Sequence, residues 1–271
     1  MSPEARTRLI DRFTAACRDD RRVVAAFLGG SLAAGTADDF SDLDLYLITP
    51  DADYQDFFGD RQQFMQRLGD PVFCEDFSEF GFDMVLFIYG EGPYGELALA
   101  PASNSHHIHG GPYKVLIDKT QMLQSVTFPY YFPPDEEKRR TLRHLIYWFW
   151  RDLLLCGKYL ARGRVWTAAA YLEDLRRKVV KLAQMHADWQ YGGGGYDRVE
   201  LVLPVSWRAR AAETFVALEA GQIAEAARVL TALYLEVAPA LARTHGLDYP
   251  EALQRTVQAS VRELLEGAAR R

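Results

Sequence analysis

The stretch Gly29–Ile48, GGSLAAGTADDFSDLDLYLI, limits what this chain can fold into more than any other. An apolar run, Val23–Leu28, ends in Gly29-Gly30-Ser31. Ten residues separate Ser31 from Asp42-Leu43-Asp44, and Asp44 leads into a second apolar run. The pattern predicts a strand, a tight glycine turn, a short helical or looped excursion and a second strand. Side chains alternate along a strand, so Asp42 and Asp44 leave the sheet on one side. Two neighbouring carboxylates repel each other unless a cation lies between them. Glycine lets the backbone approach a ligand, and its N–H groups with the Ser31 hydroxyl suit phosphate oxygens. Hard oxygen ligands beside a phosphate cradle point to Mg²⁺. A GGS turn or an Asp-x-Asp is common alone; the two in this strand context are far more specific.

The rest of the chain divides by pattern. Pro3–Arg18 carries apolar residues at helical spacing. Strands are expected at Val23–Leu28, Leu43–Ile48, Val72–Cys74, Phe82–Tyr89, Glu96–Ala100 and Tyr113–Ile117. A helix is expected over Tyr54–Leu68, and Asp118-Lys119-Thr120 reads as the start of a short one. Glu96–Ala100 should pair with Phe82–Tyr89 as a hairpin across the Gly90–Tyr94 turn. TFPYYFPP at 127–134 reads as a linker, and Asp135-Glu136-Glu137 as the cap of a following helix. Beyond it strand signal nearly vanishes, and helices are expected at 135–162, 164–187, 205–219, 221–244 and 249–268. Short turns between long amphipathic helices favour an antiparallel bundle. The expected fold is therefore α/β (α+β): a mixed-sheet domain over 1–134, then a helical bundle over 135–271.

Charge follows the same division. Residues 1–134 hold 10 Lys and Arg against 20 Asp and Glu, a balance of −10, whereas 135–271 hold 21 against 17, a balance of +4. An acidic first half without a dense basic face argues against nucleic acid as a partner. No apolar run approaches the roughly 20 residues that span a bilayer. MSPEARTRL has no apolar signal core, and Cys17, Cys74 and Cys156 form neither a metal pattern nor a disulfide framework. A cytoplasmic protein without a membrane partner is expected.

A two-metal site clamps cations roughly 3.5–4 Å apart with further carboxylates. Asp83 and Glu96 each begin an apolar strand, and spacing alone does not choose between them. Phosphates also need cations. In the helix 164–187, Arg177 and Lys181 share a face, as do Lys178 and Lys181. His106, His107 and His109 read as an exposed loop without a Cys or carboxylate partner rather than a metal cluster. His144 and His186 read as helix-surface or packed residues. Tyr147 to Trp150 cannot all face one way; some must pack the bundle. Tyr130, Tyr131 and Phe132 read first as packing residues, and the tetraglycine Gly192–Gly195 as a plain connection.

Gly30-Ser31, ten residues, then Asp42-Leu43-Asp44 resembles the signature of the nucleotidyltransferase superfamily related to DNA polymerase beta. The wider pattern is similar to the antibiotic nucleotidyltransferases: Ser41 to Tyr46, the Gly95-Glu96 strand, the Leu116-Ile117-Asp118 strand end and the helices at 141–187. It is most similar to the larger lincosamide nucleotidyltransferases and less so to aminoglycoside adenylyltransferases. The resemblance implies that Asp42 and Asp44 bind Mg²⁺, and that Glu96, rather than Asp83, is the third metal ligand and general base. It implies ATP as donor, two Mg²⁺ ions, and a triphosphate lying along Gly30 and Ser31. It places the helix at 164–187 near the nucleotide, with Arg177 where a basic residue is expected and Lys178 beside it. Because relatives often build the site across a dimer, it implies a homodimer. Asp44 stands where close lincosamide relatives can carry Glu; both ligate Mg²⁺.

The function so implied is transfer of AMP to a hydroxyl of a small-molecule antibiotic, releasing pyrophosphate. A nearly neutral lincosamide suits the aromatic residues at 130–150, and a polycationic aminoglycoside suits the acidic first half. Another metabolite is an alternative acceptor. A non-catalytic regulatory or toxin–antitoxin module should have lost a carboxylate, whereas Asp42, Asp44 and Glu96 are all present.

Overall fold

Leu9, Phe13 and Cys17 recur every four residues and form the buried face of α1 (Pro3–Asp19). The computed structural model describes residues 3–78, 80–90, 94–189 and 195–269, with side chains to 264. It divides into two compact units, residues 1–131 and 132–271. In the first, α1 is followed by β1 (Ala25–Leu28), α2 (Gly30–Ala34), β2 (Leu43–Thr49), α3 (Tyr54–Gly59), α4 (Arg61–Leu68), β3 (Pro71–Phe77), β4 (Asp83–Tyr89), β5 (Tyr94–Pro101) and β6 (Lys114–Asp118). The six strands form one mixed sheet in the order β3-β4-β5-β2-β1-β6. β2 and β5 run parallel, and every other pair is antiparallel.

The period of two divides the sheet into two faces. Leu43, Leu45, Leu47, Val85, Leu97 and Leu99 turn toward one, where they pack with Leu9 and Phe13 of α1, Phe57 of α3 and Phe64 of α4. Phe27, Ile48 and Ala100 turn toward the other, which is closed by Ile108, Leu123 and Phe128 from the loops flanking β6. Asp44 alternates with Leu43 and Leu45, and Glu96 precedes Leu97, so both emerge on this second face. Parallel strands need a long crossover, here supplied by α3, α4 and the β3–β4 hairpin. Gly95 makes the close contact possible, since a Cβ there would stand 2.6 Å from the Leu43 carbonyl oxygen and 2.5 Å from the Phe87 ring.

The second unit contains α5 (Asp135–Ala161), α6 (Val165–Ala187), α7 (Val199–Val202), α8 (Val205–Ala212), α9 (Ala220–Thr244) and α10 (Glu251–Ala269). Its core runs from Leu142 to Val261 and centres on Phe149, whose ring stacks on Tyr234 at 3.8 Å. Phe149 and Trp150 are the buried members of the aromatic run, and Trp148 is exposed, stacked on His144. Among the described residues no helix is long and apolar enough to cross a membrane. The expected mixed-sheet and helical architecture is what the chain adopts.

Several element boundaries differ. The helix expected over Tyr54–Leu68 breaks between α3 and α4, where Asp60 gives its carboxylate to Arg22 at 2.7 Å. The strand expected at Val72–Cys74 runs from Pro71 to Phe77; mostly exposed side chains hid it from an apolar reading. The helix expected to Glu219 ends at Ala212. There the chain turns inward so that the Thr214 hydroxyl and carbonyl accept Arg176 Nε and Nη2 at 2.8 and 2.5 Å. Asp118 does not open a helix; its carboxylate accepts the N–H groups of Met122 and Leu123, both at 3.0 Å, capping one 3₁₀ turn. Gly192, Gly193 and Gly194 lie outside the described residues.

Candidate active site

Strand β1 runs straight into the turn that starts α2. Gly30 has φ +55°, and a Cβ at this position would fall 1.7 Å from Asp44 Oδ2. Glycine is thus demanded twice, by backbone conformation and by the carboxylate packed on it. The Gly29 N–H donates to the Asp44 carbonyl at 3.0 Å, tying turn to strand. The first turn of a helix leaves N–H donors without intrahelical partners, and Ser31 lies in that turn, half-exposed.

Asp42 is exposed at the mouth of β2. The loop before it is held by Arg6, whose Nη1 donates to the carbonyls of Asp38 and Ser41 at 2.7 and 3.0 Å. Asp38 in turn accepts the Phe40 N–H and the Ser41 hydroxyl at 2.9 and 3.0 Å. Two residues on, Asp44 is half-buried and stands directly opposite Glu96 in the parallel β2–β5 register. Burial, Asp42 and Glu96, in that order, push its carboxyl up to about 6. All three influences disfavour the ionised form.

Glu96 is half-buried and accepts the Tyr94 hydroxyl at 3.1 Å. Tyr46 lies on the same face; burial, then Asp44 and Glu96, raise its phenol above the usual range. The sequence motifs do not single out these two tyrosines, although each is two positions from a carboxylate in the same strand and so on its face. Asp83 parts company with Glu96. It pairs with Leu99 in the β4–β5 register, which assigns it to the opposite face, and its carboxylate accepts the Tyr54 hydroxyl.

His109 corrects the reading of an exposed HHIH loop. His106 and His107 are exposed, but His109 is half-buried between Tyr46 and Phe27, with ring centroids 4.7 and 5.5 Å away. Its Nε2 lies 3.0 Å from the Pro112 carbonyl oxygen, and burial lowers its basicity. It packs the floor beneath the glycine turn.

The two basic candidates lie in the second unit. Arg177 is exposed and donates from Nε to Glu173 at 2.9 Å. Lys178 is largely covered, with its ammonium 2.8 Å from Oδ2 of the buried Asp152. Their neighbour Arg176 is buried, bonded to Glu173 and Thr214, and stacked over Phe215 at 4.0 Å. Helical spacing located the basic face; it did not show that two of its three consecutive cations serve the bundle itself.

The residues of the β2–β5 face fit a divalent cation by chemistry. Asp42, Asp44 and Glu96 are hard oxygen donors, and the Asp44 carboxyl, raised first by burial and then by its two acidic neighbours, would be ionised more readily with a cation beside it. Among the described residues no group of three or more His, Cys, Asp or Glu side chains is already gathered in a geometry that holds a metal ion. The fit therefore rests on donor type and charge rather than on a preformed cage.

A model of one protein family, streptomycin adenylyltransferase, matches residues 4–264, nearly the whole chain. The chain belongs to the streptomycin adenylyltransferase family. It is accordingly a nucleotidyltransferase, as the Gly30-Ser31 and Asp42-Leu43-Asp44 pattern led one to expect. No curated protein sequence matches it. Among solved structures it is similar to an aminoglycoside 6-adenyltransferase from Bacillus subtilis, at 16% identity and a TM-score of 0.45, covering 93% of this chain and 95% of that one. It is also similar to a nucleotidyltransferase-like protein from Exiguobacterium sibiricum, at 12% identity and a TM-score of 0.36, covering 83% of this chain and 72% of that one. Within the streptomycin adenylyltransferase family, members of this type use ATP and Mg²⁺.

Proposed function

We propose that this protein transfers AMP from ATP to a hydroxyl of an aminoglycoside antibiotic and releases pyrophosphate. The observation that carries the reading is the register of Asp44 against Glu96, directly beside the Gly29-Gly30 turn. Gly30 and Ser31 receive the triphosphate through backbone N–H groups and the Ser31 hydroxyl. Asp42, Asp44 and Glu96 would hold Mg²⁺, which when bound neutralises phosphate charge and polarises the α-phosphorus. Glu96 takes the proton from the acceptor hydroxyl, whose oxygen then forms a bond to the α-phosphorus as the bond to pyrophosphate breaks. Tyr94 holds one oxygen of Glu96 and leaves the other available. Of the two basic candidates we assign the phosphate to Arg177, whose exposed guanidinium could exchange Glu173 for it, because Lys178 is committed to the buried Asp152. Positioning and charge neutralisation account for catalysis of this kind.

The family match shifts the acceptor from the lincosamide first favoured toward an aminoglycoside. The acidic first half suits such a polycation. Purified protein with Mg²⁺-ATP should release pyrophosphate with streptomycin or another aminoglycoside and not with lincomycin. Turnover with lincomycin alone would reverse the acceptor assignment. Activity surviving in the Asp42→Asn, Asp44→Asn double variant would refute the metal site.

A further inference from the structure

Beside Asp44 and Glu96, on the same sheet face, lies a hollow of about 140 Å³ walled by Phe80, Phe82, Met84 and Ala98. Met84 pairs with Ala98 and Leu86 with Glu96, so β4 carries this wall along the edge of the carboxylates. Phe82 and Met84 are accounted for by packing. Phe80 is not: its ring is 68% exposed. It lies edge-on to Phe77, with centroids 5.2 Å apart, and is tilted 33° to Phe82 at 6.3 Å. A large aromatic side chain left in water at the rim of a carboxylate site contributes little to the core.

We infer that Phe80, with Phe82 and Met84, forms the subsite for one aminated, saturated ring of the acceptor. The hollow is smaller than the roughly 300–1,000 Å³ that takes a whole drug-sized ligand, so it receives part of one. Its polar lining residues are Asp44 and Glu96, with Tyr46 alongside. Carboxylates attract ammonium or guanidinium substituents, and the negative face of an aromatic ring attracts the same cations and the C–H face of a saturated ring. Glu96, assigned above as the base, lines the hollow, whereas the Gly30-Ser31 turn assigned to the triphosphate does not, which argues for acceptor over donor. Contact with Glu96 places the ring where its hydroxyl meets the base assigned above. The inference thus rests on the adenylyltransfer reading but names a different set of residues.

Steady-state kinetics with Mg²⁺-ATP and streptomycin, or the aminoglycoside that is turned over, tests it. Removing an exposed ring leaves the core intact, so Phe80→Ala should fold. It should raise KM for the acceptor about tenfold, the loss of one ring contact, and leave KM for ATP unchanged. Phe80→Tyr should restore the acceptor KM. A rise in KM for ATP instead would make the hollow a nucleobase subsite and overturn the proposal, as would no change in either constant. If the wild-type protein turns over no acceptor, the adenylyltransfer reading fails. The subsite is then judged by calorimetric titration of streptomycin without nucleotide. Weaker binding to Phe80→Ala than to wild type sustains it; equal or absent binding overturns it.

Discussion

At the scale of single residues, a methyl group tests the glycine turn. Gly30→Ala meets both a left-handed backbone and the Asp44 carboxylate. The backbone alone costs about 1–2 kcal/mol, and relief of the clash moves a proposed metal ligand. The expected outcome is a fall in kcat/KM of more than about 100-fold with the fold retained by circular dichroism. Wild-type activity in that variant would detach the turn from the chemistry. Asp44 supplies a pH signature. Its folded carboxyl titrates near 6, above the ordinary value of 3.8. The folded state therefore holds the proton more tightly than the unfolded chain, and in metal-free protein stability falls as pH rises from about 4 through 6. Mg²⁺ should raise the melting temperature clearly at pH 8 and little at pH 5, where a proton occupies Asp44. A shift independent of pH would speak against binding at these carboxylates. His109 has the opposite sign among groups that burial keeps neutral. Its folded basicity is depressed, so stability is lost as pH falls below the unfolded value of about 6.5. His109→Phe should remove that part of the acid sensitivity in melts between pH 7 and 5.

At the scale of elements, the residues nearest in sequence were the easiest to read. Gly30, Asp42 and Asp44 share a strand–turn–strand unit whose period assigns the faces of the two carboxylates without any long-range contact. By residue type and spacing Glu96 and Asp83 are equal candidates, the resemblance favours Glu96, and strand register separates them in the fold: one faces Asp44, the other lies behind the sheet with Tyr54. No local pattern carries that register. Phe57 and Phe64 recur with helical spacing, so Tyr54–Leu68 reads as one helix; the Arg22 that holds Asp60 at the break comes from far back in the chain. In α6 the same limit separates three consecutive cations. Arg177→Ala should leave the unfolding midpoint essentially unchanged, as for other exposed ion pairs, while raising KM for ATP. Lys178→Met leaves the buried Asp152 short of a partner and should cost about 3 kcal/mol in denaturant unfolding. The reverse ranking would exchange their roles.

At the scale of the molecule, the two units carry separate cores and unequal probes. All five tryptophans lie between residues 148 and 207, in the second unit, whereas Asp42, Asp44 and Glu96 lie in the first. Tryptophan fluorescence thus follows the helices alone, and far-UV circular dichroism follows both units. Two midpoints are expected on heating, with Mg²⁺ raising the one that tryptophan does not see; coincident midpoints with and without Mg²⁺ would show a single cooperative unit. The parallel pairing of β2 with β5 has a consequence in time as well. Asp44 and Glu96 become neighbours only when the crossover between them has closed, so the unfolded chain presents nothing for a cation to recognise. A ligand of the finished sheet stabilises the native state without helping the chain over the barrier. In stopped-flow experiments Mg²⁺ should therefore slow unfolding and leave refolding at its original rate, making the cation a latch on the assembled fold rather than a guide to it.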